Sequence, residues 1–219
     1  MARIYLSCGD SPIYKIFPFL QQVSTIQMFT DCIRPCIRSP KALSQDSAHS
    51  RPRRYGRCGR QRCDGRCWVD LLSRNYSFYM ALENSWCDDY VTEKLYLPLA
   101  NFLVPVVWGA SNYSKILPPN SYIDARDYHP KELAELLIQL RADPVALGRY
   151  HVWRGFWSVR VGGTFCELCH RLHTDDEAQR HADIPAWRGR NGRCQVVPKN
   201  MFAPGVNAWR RFIKSNYSG

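Results

Sequence analysis

Asn84, Tyr90, Glu93 and Lys94 crowd one short stretch, "LENSWCDDYVTEKL" at 82–95, where a strand-like run gives way to a helix. Together they suit a nucleoside diphosphate carrying a sugar. Two phosphates need a cation and free backbone N–H groups, and a helix start supplies the N–H groups. Lys94 is the cation. Glu93 is the carboxylate that vicinal ribose hydroxyls need, and Asn84 and Tyr90 add hydrogen bonds from the turn. Glycosyl transfer from such a donor leaves negative charge on the departing diphosphate, which fixed cations and dipoles stabilise without reorganising. Spacing alone also admits a plainer reading, a surface helix with Glu93 and Lys94 solvated. The adjacent acids Asp88 and Asp89 are read as charge pairing at the helix N-terminus rather than as a metal clamp.

The elements that must position this corner alternate. Tyr76–Leu82 reads as a buried strand, 90–102 as a helix, and "LVPVVW" at 103–108 as a short strand whose Pro105 belongs at an edge or a bend. "SYID" at 121–124 reads as another strand. Pro130 opens a helix at its first position, and Leu133, Leu136, Leu137 and Leu140 give it one apolar face. Asp143-Pro144 starts a further helix through about Trp157. Strand–helix–strand–helix is the rhythm of an open parallel sheet, in which ligands bind past the carboxyl ends of strands. The fold class is therefore α/β with a Rossmann-like parallel sheet. Residues 1–50 show no sustained period and read as irregular. Residues 51–173 form the expected nucleotide-binding domain, and 174–219 an irregular basic tail. Tyr150, Trp153, Phe156 and Trp157 fall at helical spacing, read as core before sugar platform.

The formal charge of +11 on 219 residues points first to nucleic acid or an anionic ligand. Its distribution argues against nucleic acid: +8 over 1–75, −3 over 76–150 and +6 over 151–219 leave the most regular segment acidic. The excess sits in flanks such as "SRPRRYGRCGRQR". Ten cysteines favour an oxidising compartment. So do three Asn-x-Ser sequons, at Asn75, Asn112 and Asn216. No transmembrane span or leader is visible, so a true N-terminus upstream of this sequence is expected. Cys58, Cys63 and Cys67 read as local disulfides. "CELCH" at 166–170, with His173, has the form of a haem attachment or of half a zinc site.

The run from Tyr76 to Leu140, with "ENS", "DDYVTEK", "VPVVWG", "NYS", "PPNSYI" and "PKELA" in order, resembles the signature region of the α-1,3-fucosyltransferases, glycosyltransferase family 10. "YGRCG" at 55–59 and "FCELCHRLH" at 165–173 extend the likeness to about half the chain. The resemblance implies the C-terminal, donor-binding lobe of a two-lobed GT-B enzyme, with the N-terminal lobe truncated or absent. Such an enzyme transfers fucose from GDP-fucose to N-acetylglucosamine of a glycoprotein glycan and inverts the anomeric carbon. It implies Glu93 on ribose, Lys94 on the diphosphate, and Asn84 and Tyr90 on the phosphate or fucose side. The catalytic carboxylate base is expected in the N-terminal lobe, so no catalytic residue is assigned. No metal is required, although Mn²⁺ or Mg²⁺ stimulates animal members. Residence in the Golgi lumen, behind a single-pass membrane anchor, is implied as well. So is a disulfide at Cys166 and Cys169, since a Cys-x-x-Cys closes the family's domain. Leu82 and Ser77 stand where the family has Phe and Lys, and Pro98 is expected to kink the signature helix. Two alternatives follow. One is a catalytically incomplete GDP-binding remnant; the other is a basic protein with Cys/His zinc sites that binds nucleic acid.

Overall fold

The computed structural model describes residues 2–6, 26–30, 66, 68–160, 164–175, 183, 194–196 and 210. Five parallel strands form one sheet: β1 (Ala2–Leu6), β2 (Ile26–Thr30), β3 (Phe78–Leu82), β4 (Val104–Trp108) and β5 (Ile123–Asp124), in the order β2-β1-β3-β4-β5. The chain steps from β1 outward to β2, then returns to β3 on the opposite side of β1. The strand order therefore reverses between β1 and β3, the place where an open parallel sheet leaves a crevice for ligands. The irregular reading of 1–50 is corrected here, because two of its segments are strands. Five residues are too few to display a period, and parallel strands need not alternate.

Both faces of the sheet are covered, which is why β3 and β4 are apolar and buried throughout. Phe78, Met80, Leu82, Val106 and Trp108 pack against Leu133, Ala134, Leu137 and Leu140 of helix α2 (Pro130–Ala142). Tyr79, Ala81 and Val107 pack against Leu95 and Leu99 of helix α1 (Glu93–Ala100). The leucine stripe of α2 faces inward as expected. Pro130 sits in its first turn, and His129 and Glu132 close a capping box. Asp143 caps α3 (Pro144–Arg149) through two backbone N–H groups. α3 stops well short of Trp157, and a 3₁₀ turn, Val152–Gly155, replaces its second half.

Two sequence expectations are corrected. α1 is shorter than 90–102, because the Thr92 N–H is drawn to a side chain outside the helix and Thr92 stays extended. Pro98 lies inside this short helix, whose carboxyl end is clasped by Arg154. That guanidinium donates to the Leu99 carbonyl at 2.6 Å and lies over the Phe102 ring at 4.3 Å. β4 is an interior strand, not an edge. Pro105 is tolerated because Val104 gives its N–H to Ser77 on the β3 side. Donors alternate along a strand, so the donor that Pro105 lacks would face β5, which pairs only with Val106 and Val107. No helix among the described residues is long and apolar enough to cross a membrane.

Candidate functional site

β3 runs out at Leu82 beside the sheet's switch point, and Glu83 follows with its N–H on the Trp108 carbonyl. A carboxylate at the end of a wholly apolar strand is buried, only 4% exposed. Such a group must be satisfied. Glu83 accepts from the Thr92 N–H at 2.9 Å and from the Thr92 hydroxyl at 2.9 Å. Lys94 Nζ stands 3.5 Å from the same carboxylate and donates to Thr92 Oγ1 at 2.9 Å. Thr92 is thus the hinge of the strand-to-helix corner. Its hydroxyl joins the carboxylate to the ammonium and leaves the first N–H groups of α1 without a side-chain cap.

Of the residues singled out from sequence, Lys94 is buried and turned inward, its side chain 10% exposed. Glu93 points to solvent at 68% side-chain exposure, with Oε1 3.8 Å from the same ammonium. Asn84 is exposed and Tyr90 half-buried on the same turn. Asp89 takes a left-handed backbone, φ 57°. Sequence reasoning gave no role to Glu83 or Thr92, the two groups that fix Lys94. The signal was an acid closing an all-apolar strand ahead of Asn84-Ser85.

A second buried pair lies under the ends of β4 and β5. Arg126 binds Asp124 through Nε at 2.8 Å and through Nη2, and its Nη1 donates to the Gly109 and Ser111 carbonyls at 3.1 and 3.0 Å. The guanidinium also lies over the Tyr113 ring at 4.9 Å. It pins the loop after β4, where Gly109 leaves no room for a side chain: a Cβ there would meet Tyr113 Oη at 2.5 Å. Arg126→Lys is expected to cost about 1–3 kcal/mol in urea unfolding, because one ammonium cannot serve two carbonyls and a bidentate carboxylate. An unchanged midpoint would mean the fork is dispensable.

The cysteine expectations are corrected. Cys166 and Cys169 are free, exposed thiols on helix α4 (Thr164–Thr174). His170 and His173 lie on the same helix, yet no group of three metal-ligating side chains converges among the described residues. The disulfide that does form among them joins Cys87 to Cys194. Beside it the Gln195 N–H donates to the Trp86 carbonyl at 2.8 Å, tying part of the segment read as tail to the corner loop. Trp86 packs edge-on against Trp108 at 4.8 Å. Cys58, Cys63, Cys67 and Asn216 lie outside the described residues. Asn75 and Asn112 are half-buried, and Asn112 Oδ1 accepts from Ser114 at 2.7 Å. In the aromatic cluster Trp153 is buried and Tyr150 half-buried, while Phe156 and Trp157 are exposed at 83% and 61%.

Residues 21–187 match the family model described as glycosyltransferase family 10 (fucosyltransferase) C-term. The match begins inside the segment read as unmatched and ends inside the one read as tail. The chain is 41% identical over 148 residues to alpha-(1,3)-fucosyltransferase C of Drosophila melanogaster, covering 64% of this chain and 35% of that protein. It is 32% identical over 169 residues to that organism's glycoprotein 3-alpha-L-fucosyltransferase A, covering 72% and 31%. With a Homo sapiens 4-galactosyl-N-acetylglucosaminide 3-alpha-L-fucosyltransferase it shares 37% over 147 residues, covering 64% and 39%. The chain thus spans about a third of the length of these curated relatives. A crystal structure of an alpha1,3-fucosyltransferase with GDP-fucose superposes with TM-score 0.49 at 12% identity, covering 83% of this chain and 50% of that one.

Proposed function

The chain belongs to glycosyltransferase family 10, the fucosyltransferases, and from that premise we propose that the Glu83–Thr92–Lys94 corner holds the diphosphate of GDP-fucose. The observation that carries this reading is the placement of a fixed ammonium and uncapped helix N–H groups at the switch point of the sheet. An ammonium has three protons. Thr92 and Glu83 take two directions and hold the group still, so its charge meets the phosphates without reorganising. Glu93, at the same helix start and in solvent, is the acceptor for the ribose hydroxyls. Asn84 and Tyr90 border the phosphate or fucose side. As GDP departs, Lys94 and the α1 N-terminus stabilise its growing charge. No metal is required in this scheme, and Mn²⁺ or Mg²⁺ acts only as a stimulant.

The reaction proposed is inverting transfer of fucose to N-acetylglucosamine of a glycoprotein glycan, in the Golgi lumen. The Cys87–Cys194 disulfide supports an oxidising compartment. Glu83 is committed to Thr92 and Lys94 and is not the base that deprotonates the acceptor. Lys94→Met keeps the apolar stem and removes the charge. It is expected to weaken GDP binding by about 10- to 100-fold, the worth of one charge-assisted hydrogen bond, while guanosine binding is unchanged. Calorimetric titration with both ligands decides it. Equal GDP affinity in the variant and the parent would remove the diphosphate from this corner.

A further inference from the structure

The two buried ion pairs meet at Gly109. β3 and β4 run in register, with Leu82 beside Trp108, so the next residues, Glu83 and Gly109, leave the sheet side by side. The Glu83 N–H donates to the Trp108 carbonyl at 2.9 Å. A Cβ on Gly109 would stand 3.4 and 3.5 Å from Glu83 Cγ and Cβ, and 2.5 Å from Tyr113 Oη. The Glu83 stem and the Tyr113 hydroxyl therefore flank one spot that a missing side chain leaves open. The φ of Gly109 lies outside the left-handed region. Close approach, not backbone freedom, is what calls for glycine here. Tyr113 is 2% exposed, and the Arg126 guanidinium covers its ring at 4.9 Å. The same guanidinium fixes the Gly109 and Ser111 carbonyls and is itself fixed by Asp124.

Interiors are close-packed, so a shift on one side of such a contact is passed to the other. We propose that Arg126, Tyr113 and Gly109 are positioning residues for the Lys94 ammonium, a role that rests on the reading of the corner as the diphosphate site. Arg126 seats Tyr113 and the 109–111 loop. These back the Glu83 side chain, and Glu83 with Thr92 sets Lys94. None of the three meets the diphosphate. The chain of contacts starts at Asp124 in β5, two strands from the switch point where Lys94 stands.

The test is a set of full-chain variants titrated calorimetrically with GDP and with guanosine. Gly109→Ala drives a methyl group between Tyr113 Oη and Glu83, and we expect GDP to bind about tenfold more weakly and guanosine as before. Tyr113→Phe removes the oxygen that the methyl would strike. The double variant, Gly109→Ala with Tyr113→Phe, is expected to bind GDP within about twofold of Tyr113→Phe alone. Added to Lys94→Met, Gly109→Ala is expected to change GDP affinity by less than about twofold, because the ammonium through which it acts is gone. Arg126→Lys takes the place of Gly109→Ala if that variant is not recovered folded, with the same loss for GDP, the same indifference to guanosine and the same silence beside Lys94→Met. The proposal is overturned if the variant tested leaves GDP affinity unchanged, weakens guanosine equally, or costs as much beside Lys94→Met as in the parent. Failure of Tyr113→Phe to rescue Gly109→Ala overturns it too. In all these cases Lys94→Met alone still loses GDP, and the corner reading stands. A Lys94→Met variant that binds GDP like the parent overturns that reading and the positioning role with it.

Discussion

Glu83→Ala is expected to destabilise the protein by about 3–5 kcal/mol, the usual result of removing one partner from a buried charge pair. The truncation strips the Thr92 N–H and hydroxyl of their acceptor and removes the buried carboxylate beside the Lys94 ammonium. Glu83→Gln separates the two contributions. Its amide oxygen can still accept from the Thr92 N–H but carries no charge opposite Lys94, so about half the loss is expected to return. Urea unfolding read at constant slope gives both values. Near-equal midpoints for parent and Ala variant would show that the corner is not held by this carboxylate. The same Ala variant is expected to bind GDP more weakly although Glu83 touches no ligand in the proposed scheme, because Lys94 loses its anchor. That indirect effect distinguishes a positioning residue from a ligand contact: Lys94→Met loses affinity for phosphate without raising the mobility of the 83–92 loop, and Glu83→Ala does both.

Cys194→Ser is the second large effect. The Cys87–Cys194 disulfide spans 107 residues of sequence and closes on the loop that carries Asn84 and Tyr90. Cross-links over loops of about this length stabilise by roughly 2–5 kcal/mol, chiefly by limiting the unfolded chain. A single substitution is preferable to a reductant, since ten cysteines would report together. The variant is expected to melt lower by at least several degrees and to be cleaved faster near Gln195, where the N–H bond to Trp86 remains. A melting temperature equal to the parent's, with the same proteolytic pattern, would show that the staple is idle in the folded chain.

What could be read in advance followed from local signals. The leucine stripe of α2, the proline opening it and the Asp143 cap carry their own geometry, and all three appear where expected. Asn84, Tyr90, Glu93 and Lys94 lie along the stretch from the end of β3 to the first turn of α1, a consequence of their closeness in sequence. Which way each faces was not legible. Lys94 turns inward only because Glu83, eleven residues earlier, is buried beside it. The Arg126–Asp124 pair escaped notice for the same reason: its significance lies in the carbonyls of Gly109 and Ser111, brought near by the tertiary fold. Cysteine pairing is a long-range choice that spacing cannot make: Cys87 pairs with Cys194, 107 residues away, beside the bridge between Trp86 and Gln195. The first two strands escaped because five residues in a parallel sheet hold no rhythm of their own.

Pro105 has a consequence for behaviour in concentrated solution. Sheet edges that offer long rows of unused donors recruit strands from other molecules and seed aggregates. At one of the sheet's two edges stands β5, with two residues, and the stretch of β4 that β5 does not pair with presents a proline ring in place of an amide. An incoming strand would find no regular ladder to extend on the β5 side. Replacing that ring by Val would complete the row of donors without disturbing the β3 side, and would turn a blunt margin into a template for self-association.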